Sequence, residues 1–158
     1  MSRPYWTVLC ATAVLLLVSP LKAWERPNFS GDWKLNAAKS DFGPMPGPDK
    51  MNRTIKHEDP SLKMTTTQTG PQGETTTELA YTTDGKPSTN KIRGQDVTGT
   101  AKWDGDALSI GSKREFQGME ITMNERWTLS EDGKTLTVNN KVNTPQGDFE
   151  IKVVMDKQ

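Results

Sequence analysis

Asn28-Phe29-Ser30-Gly31-Asp32-Trp33-Lys34-Leu35 opens a long run of short segments punctuated by turns. Side chains of a strand alternate between its two faces, so Gly31 and Trp33 share one face. A large indole there can lie across the floor of a barrel, where a side chain at position 31 would collide with it. The stretch is expected to form a first strand over 31–35.

Downstream, turn signals recur at short intervals. They include Asp59-Pro60-Ser61, Asp84-Gly85-Lys86, Gly94-Gln95-Asp96, Asp104-Gly105-Asp106, Asp132-Gly133-Lys134 and Pro145-Gln146-Gly147. Asp-Gly suits tight hairpins because it tolerates positive φ. The segments between turns are rich in Thr, Val, Ile, Trp and Tyr, and this composition favours strands. Strands are predicted near 31–35, 51–58, 62–69, 74–82, 88–93, 97–103, 107–115, 119–129, 134–143 and 148–156. Pro87 and Gly94 crowd the fifth of these. Between the first two, Asn36 is placed to cap a short helical turn and Gly43 to end it. Pro44-Met45-Pro46-Gly47-Pro48 then excludes a helix and favours an extended, exposed segment. Short links make consecutive strands antiparallel neighbours, and closing the sheet removes its edges. The expected fold is all-β, a single antiparallel up-and-down β-barrel of about 8–10 strands, with a β-sandwich as the alternative.

Upstream, Arg3 precedes an apolar run, Val8–Val18, which Ser19-Pro20 breaks before Leu21-Lys22-Ala23. This pattern predicts a signal peptide over 1–23, cleaved after Ala23, and one domain over 24–158. The run of about 11 residues is short of the roughly 20 that span a bilayer. The expected location is therefore periplasmic or secreted, with no stable membrane span once the leader is removed. Cys10 lies in the leader, so the exported domain would hold together without a disulfide. The chain has 20 basic and 20 acidic side chains, and Arg3 and Lys22 leave with the leader, so the remainder has a balance of −2. No block of like charge marks a nucleic-acid or anionic-membrane surface. The domain is expected to be a monomer.

Alternation sorts the faces. Ile121, Met123, Glu125, Trp127 and Leu129 are expected inside, as are Leu136, Val138, Phe149, Ile151, Val153 and Met155. By the same parity His57 joins Ile55, Tyr81 joins Leu79, and Trp103 joins Ala101. Thr65, Thr67, Thr76 and Glu78 are expected to face solvent. His57 is the only histidine, so a zinc site would need mainly carboxylate ligands, and none is spaced for one. No Gly-x-Ser-x-Gly elbow exists. No catalytic residue, metal or cofactor is assigned. An inward Glu125 needs a cation or several donors, and Arg93, Arg114 and Lys141 are the candidates. Trp33, Trp103, Trp127 and Tyr81 either fill the core or wall a binding cavity, with His57 and Glu125 as its polar contacts.

The string Phe29 to Leu35 resembles the opening of the fatty-acid-binding proteins, and its Gly-x-Trp resembles the lipocalins. Lys102–Leu108 and Glu125–Lys134 strengthen the likeness to this calycin superfamily of small-ligand-binding barrels. The chain also resembles a family of small exported bacterial proteins marked by Trp33–Asn36 and Lys39–Pro44. The departures matter. Fatty-acid-binding proteins carry a helical pair where this chain has its prolines. The Arg-x-Tyr of their last strand is missing from Val153-Val154-Met155-Asp156-Lys157. The lipocalin Thr-Asp-x-Tyr meets only Thr83-Asp84, in a turn. Neither family's ligand chemistry carries over.

The expected function is therefore non-enzymatic: an exported lipocalin-like domain binding a small apolar or amphipathic molecule. Its site would be Trp33, His57, Tyr81, Trp103, Glu125 and Trp127. The alternative is a structural or protein-interaction domain of the cell envelope whose barrel is filled by its own side chains. An enzyme would need His57 and Glu125 to face one cavity.

Overall fold

The computed structural model describes residues 26–158 apart from 72 and 117. The predicted leader, 1–23, lies outside the described residues. Ten strands follow in order: β1 (Gly31–Leu35), β2 (Lys50–Glu58), β3 (Ser61–Gly70), β4 (Gly73–Thr82), β5 (Asp84–Ile92), β6 (Gln95–Asp104), β7 (Ala107–Phe116), β8 (Met119–Leu129), β9 (Thr135–Thr144) and β10 (Gly147–Lys157). They form one antiparallel sheet in the order β4-β3-β2-β1-β10-β9-β8-β7-β6-β5. Pairing of β1 with β10, Trp33 opposite Lys157 and Leu35 opposite Met155, curls this sheet into a nearly closed barrel.

One seam remains. β4 and β5 follow each other in sequence, yet they are the two edges of the sheet. A side chain bridges them. Ala80 N donates to Asn90 Oδ1 at 2.7 Å, and Asn90 Nδ2 donates to Ala80 O at 3.0 Å. The primary amide thus stands where a neighbouring strand's peptide would be. Inside the barrel the Tyr81 ring reaches across the seam to Gly99 on β6. A Cβ at Gly99 would come within 3.0 Å of that ring and 2.7 Å of the Gly111 carbonyl oxygen. The edge position explains how β5 tolerates Pro87, since an edge strand need not donate every N–H. A register shift separates Asp84 from Pro87.

The sequence places Gly31 and Trp33 correctly in β1, but a different neighbour limits position 31. A Cβ there would lie 2.7 Å from Lys157 Cε, and Gly31 adopts φ +141°. Lys157 Nζ in turn sits 5.3 Å from the Trp33 ring centroid. The indole is fixed separately, its Nε1 donating to Phe29 O at 3.0 Å.

The core fills one end of the barrel. Phe29, Trp33, Leu62, Leu108, Trp127, Leu136 and Met155 are all almost fully buried there. At the other end the chain between β1 and β2 crosses the mouth. Asn36 caps a 3-10 turn (Ala37–Lys39) through Lys39 N at 3.2 Å, and the turn ends at Ser40 rather than Gly43. Asp41 then exchanges two backbone hydrogen bonds of 2.7 Å with Lys152, and Asp49 N donates to Thr69 O at 2.9 Å. Between these anchors the proline-rich segment lies over the mouth and lines the cavity beneath it. Among the described residues no helix is long and apolar enough to cross a membrane.

Candidate functional site

The open half of the barrel holds a solvent-open cavity of about 490 Å³. Its walls are mainly apolar, with Met51, Val138, Ile151 and Val153 from the sheet and Phe42 and Met45 from the mouth segment. A few polar side chains converge on it: Arg53, Gln68, Arg93, Glu125 and Asn140. Mostly apolar walls with a few placed polar groups are the usual make-up of a small-molecule site, and the volume lies in the usual range.

Arg53 is the chemical centre. It lies on β2 between Met51 and Ile55 in the inward series, opposite Thr66 on β3. Its Nε donates to Thr66 Oγ1 at 2.9 Å. The guanidinium carbon sits 5.2 Å from the Trp127 ring centroid, within cation–π range. Nη1 is buried and has no hydrogen-bond partner in the protein. Burial lowers the pKa of the guanidinium, and the nearby negative charge of Glu125 opposes that shift. Guanidinium stays protonated even so, so a partly unsatisfied cation lies in the wall of the cavity.

Glu125 is held from below, where Trp127 Nε1 donates to its Oε2 at 2.7 Å. Its charge reaches Tyr81 as well, whose phenol is pushed up to about 12, first by burial and then by Glu125. Glu125 acts electrostatically on Arg53, which the sequence reading did not name, and Arg93, which it did, lines the same cavity. Lys141 points outward and pairs with Glu150 at 3.3 Å.

The other predicted site residues lie elsewhere. Trp33 and Trp127 are buried in the filled end, and Tyr81 is buried at the seam. His57 and Trp103 belong to an aromatic cluster around Phe29. Ring centroids are 5.7 Å apart for Phe29 and His57, 5.7 Å for His57 and Trp103, and 5.9 Å for the stacked Phe29 and Trp103. His57 Nδ1 accepts from Phe29 N at 3.3 Å, which places the neutral ring's proton on Nε2. Nε2 lies 3.9 Å from Asp59 Oδ1 and has no hydrogen-bond partner. Burial lowers the His57 pKa, and Asp59 counters it. Asp59 gathers Thr83 Oγ1, Trp103 Nε1 and Arg26. Those contacts, Thr83 first, hold its carboxyl below the usual range. Of the six residues singled out in the sequence, Glu125 alone lines the cavity among the described residues. His57 and Glu125 therefore do not share it.

Sequence reading missed Arg53, Gln68, Asn140 and the mouth segment. The parity that set His57 beside Ile55 also sets Arg53 there, two residues earlier, so the signal was present. Among the described residues no group of three or more His, Cys, Asp or Glu side chains is placed to hold a metal ion.

No protein-family model and no curated protein matches the sequence. Solved structures do match. The zebrafish ileal bile acid-binding protein, complexed with cholic acid, is 19% identical, with 82% of this chain and 98% of that one covered at a TM-score of 0.59. A secretory abundant heat soluble protein from Ramazzottius varieornatus is 14% identical, covering 85% and 98% at 0.63. Human cRBP IV is 17% identical, covering 83% and 98% at 0.53. At such identities a likeness speaks for architecture, and the chain has the fold of the calycin β-barrels.

Proposed function

We propose that this protein is an exported, monomeric binding protein that carries a small amphipathic acid in the open half of its barrel. The observation that carries the reading is Arg53, a guanidinium that lines the cavity and is not fully hydrogen-bonded within the protein. A cation drawn out of bulk water is costly, and an anionic ligand group in the cavity would stabilise it. The apolar body of the ligand would lie along Met51, Val138, Ile151 and Val153. The tryptophans act indirectly, Trp127 supporting Arg53 from below. The cholic acid complex of the zebrafish neighbour supports the same class of cargo. The leader pattern read in the sequence, Arg3 before the apolar run and the break at Ser19-Pro20, supports export. A monomer is supported by a surface on which, among the described residues, Met45 is the exposed large hydrophobic side chain, at 45%.

The test is displacement of 1-anilinonaphthalene-8-sulfonate by dodecanoate and by uncharged dodecanol. Dodecanoate is expected to bind at least tenfold tighter, as a charged hydrogen bond worth about 1.5–3 kcal/mol requires. In Arg53→Met the two should bind alike. Equal binding of acid and alcohol to the unaltered chain would refute the reading. Failure of both compounds to bind would favour the alternative of a self-filled structural barrel.

A further inference from the structure

The hairpin turn between β5 and β6 places a cation at the cavity against the preference of its own backbone. Ile92 pairs with Gln95, which leaves Arg93 and Gly94 as a two-residue loop. Their φ values are 51° and 81°. Positive φ at both central positions is the type I′ turn, whose first position favours Asn, Asp or Gly. Among the described residues Arg93 is the one non-glycine residue with positive φ. Its Cβ is disfavoured there, and it has no short polar group to bond the local backbone. Turn chemistry gives no reason for an arginine at this position.

The cavity gives one. The Arg93 side chain lines it, together with Phe42 and Met45 of the mouth segment and Gly70 and Pro71 of the β3–β4 turn. Unlike Arg53, Arg93 is exposed. It makes no side-chain hydrogen bond or ion pair with another described residue, Glu125 of the same cavity included. The other charges beside the turn offset each other, with Lys91 Nζ 2.6 Å from Asp96 Oδ1. Arg93 is therefore an uncompensated positive charge that a dissolved ion can reach. Resting on the anion-binding reading above, we infer that Arg93 is the first contact of an incoming amphipathic acid and sets how fast it enters. A rim charge acts mainly on the association rate and its salt dependence. Retention stays with Arg53.

The experiment is stopped-flow association of 1-anilinonaphthalene-8-sulfonate and of its uncharged parent, N-phenyl-1-naphthylamine. The signal followed is the part that excess dodecanoate suppresses. The chains are the unaltered one, Arg93→Asn and Arg93→Lys. In Arg93→Asn the sulfonate is expected to associate about threefold more slowly at low salt. At about 0.5 M salt that difference should close, because screening shortens the reach of an exposed charge. Arg93→Lys keeps the charge and should keep the rate. The neutral parent should enter all three chains alike. Asn accepts positive φ more readily than Arg, so Arg93→Asn should melt no lower than the unaltered chain. Four results overturn the role of Arg93 and leave acid binding at Arg53 standing: an unchanged sulfonate rate in Arg93→Asn, an equal slowing in Arg93→Lys, a slowed neutral parent, or a lower Tm in Arg93→Asn. A sulfonate signal that dodecanoate does not suppress in the unaltered chain removes the anion-binding reading, and this inference with it.

Discussion

Replacing Asn90 with Leu should weaken the barrel at one known place. The Asn90 amide makes two hydrogen bonds, at 2.7 and 3.0 Å, both to the backbone of Ala80. Asn90 is 9% exposed, so water replaces it poorly. Each bond contributes about 0.5–1.5 kcal/mol net, so losing both should cost about 1–3 kcal/mol. For a chain of this size that corresponds to a fall in Tm of about 2–4 °C per kcal/mol. Urea unfolding at fixed slope measures the total. Hydrogen exchange gives the location. The Ala80 amide points across the seam to Asn90, and its protection should collapse to that of an open edge. The amides of Leu79 and Tyr81, facing β3 in the alternating pattern of an antiparallel strand, should change only as global stability changes. A loss below about 0.5 kcal/mol together with an unchanged Ala80 exchange rate would refute the idea that a side chain closes this barrel.

Gly99→Ala should destabilise by about 1–3 kcal/mol in the same unfolding assay, because the new Cβ meets the Gly111 carbonyl at 2.7 Å and that backbone cannot swing aside. His57 makes stability depend on pH. Burial sets its folded-state pKa below the unfolded value of about 6.5, so the unfolded chain binds more protons in that window. Its contribution is therefore full above about pH 6.5 and is lost as the pH falls through the folded value. His57→Gln should flatten that part of a stability–pH curve. In a chain starting at residue 24, Tyr81 is the sole tyrosine, and its phenol should titrate near 12 by ultraviolet absorbance. Glu125→Gln should lower that value by removing a repelling charge. An unchanged titration would show that Glu125 does not act on Tyr81.

Much of the fold was legible in the chain because turn chemistry is local. Asp104-Gly105 and Asp132-Gly133 mark the turns after β6 and before β9, and both glycines adopt positive φ. Alternation then assigns inward and outward faces. It cannot assign height along the barrel, which depends on register and strand tilt. Trp103, Trp127 and Glu125 all point inward, yet the first two pack in the filled end and only the third reaches the cavity. Arg53 was passed over for a related reason. A charged residue between Met51 and Ile55 reads as a break in an apolar face, although in the barrel its side chain lines the cavity. Asn90 left no signal, since its role depends on β4 and β5 being neighbours without a ladder.

The pairing of Trp33 with Lys157 has a kinetic consequence. The first and last strands are neighbours, separated by nearly the whole chain, so closure must bring its most distant parts together. Contacts of such high sequence separation fold slowly. During synthesis β1 and β9 each wait with one bare edge until β10 arrives to fill the space between them. Bare edges invite pairing with other chains. The interval before β10 docks, rather than the finished barrel, is when this protein is most exposed to aggregation.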